Sequence, residues 1–115
     1  MRPSSAKAKA RRLQDAVVEL LLEHFNGKLV EGDLRPAVMG ESGEDVKRSP
    51  LAKEVFPFSF ECKNQEKLNI WSALKQAEGN AGDKDIPAVA FKRNRSDIYI
   101  AMKLEDLLRY VGTDL

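Results

Sequence analysis

The chain has one cysteine, Cys62, and one histidine, His24, among 115 residues. A lone cysteine cannot close an internal disulfide, which fits a reducing cytoplasm. One thiol and one imidazole cannot build a structural zinc site either, so any metal should be hard and oxygen-bound. Long apolar runs are absent: nothing approaches the roughly 20 residues that span a bilayer. The N-terminus also has no apolar core of a secretory signal, and no membrane association is expected. Nor does one charge dominate; a net +1 says nothing by itself about nucleic acid. What remains, 43% hydrophobic and 32% charged residues, suits one soluble globular domain with a two-layer core.

The charge is nonetheless unevenly placed. The first 14 residues carry Arg2, Lys7, Lys9, Arg11 and Arg12 and no acid. Lys92, Arg93 and Arg95 form a second cluster at an expected hairpin tip. Such clusters neutralise phosphates and add a salt-dependent contribution to binding. Each also has a plain reading, as a solvated terminus or as a charged turn that keeps a sheet edge soluble.

Residues 1–5 read as a disordered basic tail and 6–115 as a single domain. Apolar residues at Ala10, Leu13, Val17, Leu20, Leu21 and Phe25 mark a helical stripe, which Asn26-Gly27 ends with a left-handed stop. Lys28 to Val30 starts a strand on this reading, and residues 32–43, rich in glycine, form a loop. Glu44 to Arg48 is a short strand. Ser49-Pro50 supplies N-cap chemistry for one helical turn, and Pro57 to Lys63 is the strongest strand. Asn69 caps a helix with Ile70, Ala73, Leu74 and Ala77 buried. Strands at Ile86–Phe91 and Ile98–Met102 and a helix packing through Leu104, Leu107, Leu108 and Val111 complete the chain. The order α-β-β-β-α-β-β-α, with one helical crossover, predicts a mixed sheet covered by helices on both faces.

Chemistry concentrates at the end of the strongest strand. Side chains alternate between the faces of a strand, so Phe58, Phe60 and Cys62 share a core face while Ser59, Glu61 and Lys63 share the other. Asp45 stands sixteen residues before Glu61. On an adjacent strand its carboxylate and that of Glu61 would hold one divalent cation, with Lys63 roughly 7 Å along the same face. Acid-x-Lys alone means little: 18 acids and 11 lysines give about 1.7 chance matches, and the chain has two. Context lifts Glu61-Cys62-Lys63, which closes a strand between an upstream acid and a downstream helix. The competing reading pairs Asp45 with Lys47 and Glu61 with Lys63 across a sheet face, for roughly 0.2–1 kcal/mol each. By default Trp71, Phe56 and Phe58 are core and His24 is surface.

Helix, acid-bearing strand, Glu-x-Lys strand and glutamine-bearing helix, in that order, resemble the PD-(D/E)XK nuclease superfamily. Size, basic first helix and the Ser42-Gly43 loop look most like archaeal-type Holliday junction resolvases, including those carried by bacteriophages. The resemblance spans roughly residues 10–103. It implies an α/β, restriction-endonuclease-like fold, a mixed sheet of about five strands flanked by helices. It also implies a bacterial or phage-infected cytoplasm. Asp45 matches the motif acid, Glu61 and Lys63 the Glu-x-Lys pair, and Gln76 the supporting helix glutamine. Ser42 resembles a serine placed near the scissile phosphate, here only three residues before Asp45. Where resolvases carry a glutamate on the first helix this chain has Gln14, with Asp15 and Glu19 as neighbouring acids that otherwise pair with Arg11 or Arg12.

The resemblance implies Mg²⁺, replaceable by Mn²⁺, between Asp45 and Glu61, with the Cys62 carbonyl as a further ligand. Lys63 would orient the attacking water or stabilise charge in the transition state. Branched DNA is the implied partner, contacted by Lys7, Lys9, Arg11, Arg12, Arg93 and Arg95. The two-fold symmetry of a four-way junction calls for a homodimer. Two alternatives stay open: another nuclease of this superfamily acting on duplex DNA, and a catalytically silent DNA-binding module.

Overall fold

A computed structural model describes residues 3–112. Helix α1 (Pro3–His24) starts before the expected Ala6, so only residues 1 and 2 of the expected tail lie outside the described residues. Its buried stripe is Leu13, Val17 and Val18; Leu20, expected inside, is exposed. Asn26-Gly27 ends the helix as expected, Gly27 taking φ +92°. The next segment is a turn with Leu29 buried, not the strand expected at Lys28–Val30.

The first strand is instead β1 (Leu34–Pro36), inside the segment expected to be a loop. It pairs antiparallel with β2 (Val46–Arg48), Leu34 opposite Arg48 and Pro36 opposite Val46. Ser49 caps α2 (Pro50–Val55) by accepting the Ala52 N–H at 3.1 Å. Strand β3 (Phe58–Asn64) runs parallel to β4 (Ile86–Lys92), and the crossover between them is α3 (Ile70–Asn80), capped by Asn69 as expected. Strand β5 (Tyr99–Ala101) returns antiparallel to β4, and α4 (Leu104–Val111) follows it.

The five strands therefore form a hairpin, β1-β2, and a mixed sheet, β3-β4-β5, rather than one continuous ladder. Asp45 joins them, donating its N–H to the Phe60 carbonyl at 2.8 Å and accepting the Ala37 N–H at its own carbonyl. Helices cover both sheet faces, as the pattern predicts. Beneath α1 lie Phe60, Cys62, Ala88 and Ala90; beneath α3 lies Val89, packed on Ala73 and Ala77. Phe25, Phe56, Phe58 and Phe60 form an aromatic cluster at the α1 side, with neighbouring rings 5.0–6.4 Å apart.

Two packing expectations fail. Helix α4 buries none of its apolar stripe: Leu104, Leu107, Leu108 and Val111 are all exposed, and Tyr110 touches Phe58 with ring centroids 4.9 Å apart. Trp71 sits in the first turn of α3, 77% exposed, outside the Ala73–Ala77 stripe. None of the helices described is long and apolar enough to cross a membrane.

Arg48 ties the hairpin to the mixed sheet. Its fully buried guanidinium meets Glu44 at 2.7 Å and Asp85 at 2.9 Å and donates to the Phe56 carbonyl at 2.8 Å. Burial works against its charge, but Glu44 and Asp85 overcome that and raise its pKa further. Arg48→Met would leave two partly buried carboxylates without their cation. A loss of about 3–5 kcal/mol in urea unfolding is expected; a near-neutral result would show that hydrophobic replacement suffices here.

Candidate active site

Face alternation on β3 sets the site. Phe60 and Cys62 turn to α1, which leaves Glu61 and Lys63 on the α3 face. Glu61 is 2% exposed, unusual for a carboxylate without a cation. Asp45 stands immediately before β2, where its backbone bonds link the hairpin to β3. Its Oδ2 accepts the Cys62 N–H at 2.8 Å, so the side chain occupies a position a strand backbone would otherwise fill.

The two carboxylates converge. Burial raises the Glu61 pKa first. The Asp45 charge and a carboxyl–carboxyl contact raise it further, while the Asn80 amide and the Lys63 charge pull it down. Asn80, at the end of α3, donates to Glu61 Oε1 at 2.6 Å. Among the described residues neither Asp45 nor Glu61 forms a salt bridge. Lys47 instead donates to the Ser42 carbonyl, so the expected alternative of two cross-strand ion pairs is not formed. Glu44 is taken up by Arg48.

The remaining candidates divide. Gln14 lines, together with Asp45, Lys7 and Arg11, a cavity of about 400 Å³ between α1 and the loop leading into β2. That loop is braced: Arg35 grips Glu41 at 2.9 and 2.8 Å, and with the Val38 N–H it holds the Glu41 carboxyl down at about 2. Ser42 is exposed on the same loop, its hydroxyl without a hydrogen-bond partner among the described residues. Gln76 is also exposed and meets neither carboxylate; Asn80, one helical turn on, takes the position expected of it. Asp15 pairs with Arg11 at 3.6 Å and lines a different cavity with Glu19, so neither acid joins Asp45. Burial and the two neighbouring carboxylates push the Cys62 thiol pKa far up, which removes it as a nucleophile.

Lys7, Arg11 and Arg12 are exposed on α1, and Arg93 and Arg95 on the β4–β5 turn. Lys9 is different: it is 6% exposed and its Nζ is buried without a hydrogen-bond partner among the described residues, so it is withdrawn from any phosphate. Its carbonyl accepts Asn64 Nδ2 at 3.0 Å, and Asn64 pairs with Lys92 just before Arg93. The start of α1 and the basic turn therefore flank the same edge of the sheet, the carboxyl end of the parallel strands, where Lys63 also stands. Open α/β sheets bind ligands at that end.

The donor set fits a hard divalent cation. A buried carboxylate, Glu61, meets a half-buried one, Asp45, at the cavity wall, and among the described residues no protein cation forms a salt bridge with either. A strand residue presents its N–H and C=O on the same side, so the Cys62 carbonyl also leaves β3 toward Asp45. No cluster of three or more His, Cys, Asp or Glu that could hold a metal occurs among the described residues, so the protein would leave several positions to water or substrate.

Sequence reasoning missed Asn80. Its only signal is the spacing Ala73, Ala77, Asn80 along the buried face of α3, and the same spacing admits Gln76, three residues after Ala73, which the structure leaves exposed. The buried charge makes a stability prediction. Glu61 is neutral in folded and unfolded chains below about pH 4, whereas above its raised folded pKa the buried charge opposes folding. In metal-free buffer Glu61→Gln should melt higher than the wild type at pH 8, the gain vanishing on acidification below about pH 4. A wild type that melts higher at pH 8 would contradict the uncompensated carboxylate pair.

No family model, curated protein or solved structure matches the chain.

Proposed function

We propose that the chain is a metal-dependent endodeoxyribonuclease acting on branched DNA, resolving four-way junctions by paired phosphodiester cleavage. One observation carries this reading: half-buried Asp45 converges on buried Glu61, with no salt-bridged protein cation among the described residues, on the strand that presents Lys63. The restriction-endonuclease-like version of the α/β fold belongs to the same proposal.

Asp45, Glu61 and the Cys62 carbonyl would hold Mg²⁺ or Mn²⁺, which supplies polarisation of the scissile phosphate and activation of a water. Lys63 orients the water and faces the charge that grows on the phosphate oxygens. Gln14 adds hydrogen-bonding capacity beside Asp45 without adding charge. Lys7 and Arg11, on the wall of the Asp45 cavity, guide the phosphodiester backbone inward, and Arg12, Arg93 and Arg95 extend the contact along the same edge. Recognition then rests on phosphate positions and DNA shape. A homodimer places two sites on a two-fold substrate, and the exposed stripe of α4 supports association.

The test offers labelled four-way junctions, flaps, linear duplex and single strands with Mg²⁺. Symmetric paired nicks near the junction centre are expected. Lys63→Ala should lose about 10²–10³-fold in rate, and Glu61→Ala at least as much. Gln76→Ala should stay close to wild type. Preference for linear duplex would favour a restriction-like nuclease, and equal residual cleavage in wild type and both variants would end the nuclease reading.

A further inference from the structure

We propose that Asn80 is the positioning residue of this site: its side-chain amide fixes the Glu61 carboxylate by one oxygen and leaves the other for a divalent cation. The inference rests on the nuclease reading above.

The terminal torsion of a glutamate is broad, so a carboxylate without a hydrogen bond samples many orientations. Next to Asp45 its favoured motion would be away from the second negative charge. The 2.6 Å bond from Asn80 Nδ2 to Oε1 opposes that motion. Asp45 is held in the same manner, by the Cys62 N–H on Oδ2. Each carboxylate is thus gripped through one oxygen, and among the described residues the other oxygen has no hydrogen-bond donor.

Both grips are neutral N–H groups, and that is the decisive property. An ammonium or guanidinium would orient a carboxylate equally well but would cancel its charge and compete with the metal. The chain uses that other solution close by, where Arg48 answers Glu44 and Asp85. Amide donors orient Asp45 and Glu61 while preserving the negative potential a cation needs. Asn80 is suited to this place because Ala73 and Ala77 bring its side of α3 onto the sheet, and the helix ends there. Among the described residues its side chain hydrogen-bonds to Glu61 alone, and Asn69 caps the other end of α3.

The test measures Mn²⁺ binding to the full chain, without DNA, by calorimetry. Asn80→Ala should bind about 10–100-fold more weakly, with an unchanged circular dichroism spectrum. Asn80→Gln, which keeps an amide, should recover part of that loss, and Gln76→Ala should bind as the wild type does. Asn80→Lys supplies a second readout: it should melt higher than wild type in metal-free buffer and bind no Mn²⁺. It also serves if Asn80→Ala folds poorly. Wild-type affinity in Asn80→Ala, with binding lost in Glu61→Gln, would overturn the role of Asn80 and leave the nuclease reading standing. Equal binding by wild type and Glu61→Gln, or none by either, would overturn both.

Discussion

Asp45 is the joint on which the molecule turns. Its backbone N–H reaches Phe60, its carbonyl takes the Ala37 N–H, and its carboxylate takes the Cys62 N–H. Through these bonds one residue closes the braced loop, seats the β1-β2 hairpin against β3 and satisfies a backbone donor in a buried strand. An orphaned donor there would cost about 1–3 kcal/mol. The same carboxylate is half of the acid pair, so the group proposed to hold a metal is also part of the fold's connectivity.

The chain answers buried acid in two ways within a few residues of each other. Glu44 and Asp85 share the Arg48 guanidinium, and that triad locks the hairpin to the strand ahead of it. Asp45 and Glu61 receive only neutral donors and the indirect field of Lys63. Glu44 and Asp45 are adjacent in sequence yet live in opposite electrostatic regimes. Both stand just before β2, and there their side chains part: Glu44 meets the arginine, and Asp45 turns to the Cys62 N–H beside Glu61.

Much of this was legible where local chemistry and burial agree. The alternating run Phe58 to Lys63 identifies β3 and assigns Glu61 and Lys63 to one face. Ser49-Pro50 and Asn69 mark helix starts through their caps, and Asn26-Gly27 marks a stop. Strand β1 was hidden because three residues among glycine and proline carry too little periodicity. Helix α4 was placed to the residue, but its stripe was assigned to a core it does not reach. Amphipathicity reports that a face is apolar, not what covers it. Asn80 and Lys9 were beyond the sequence because both depend on how a helix rotates onto the sheet. One helical turn separates an amide that meets Glu61, at 80, from one that meets neither carboxylate, at 76.

The sealed ammonium of Lys9 makes the docking of α1 uneven along its length. Near Leu13, Val17 and Val18 the helix adheres through apolar contact, whereas at Lys9 it shuts a charge away from water with no acceptor among the described residues. Peeling back the first turns rehydrates that charge and gives up the Asn64 bond to the Lys9 carbonyl, so the amino-terminal third of α1 should separate from β3 at lower free energy than the remainder. Amide protons there exchange by local opening, ahead of global unfolding.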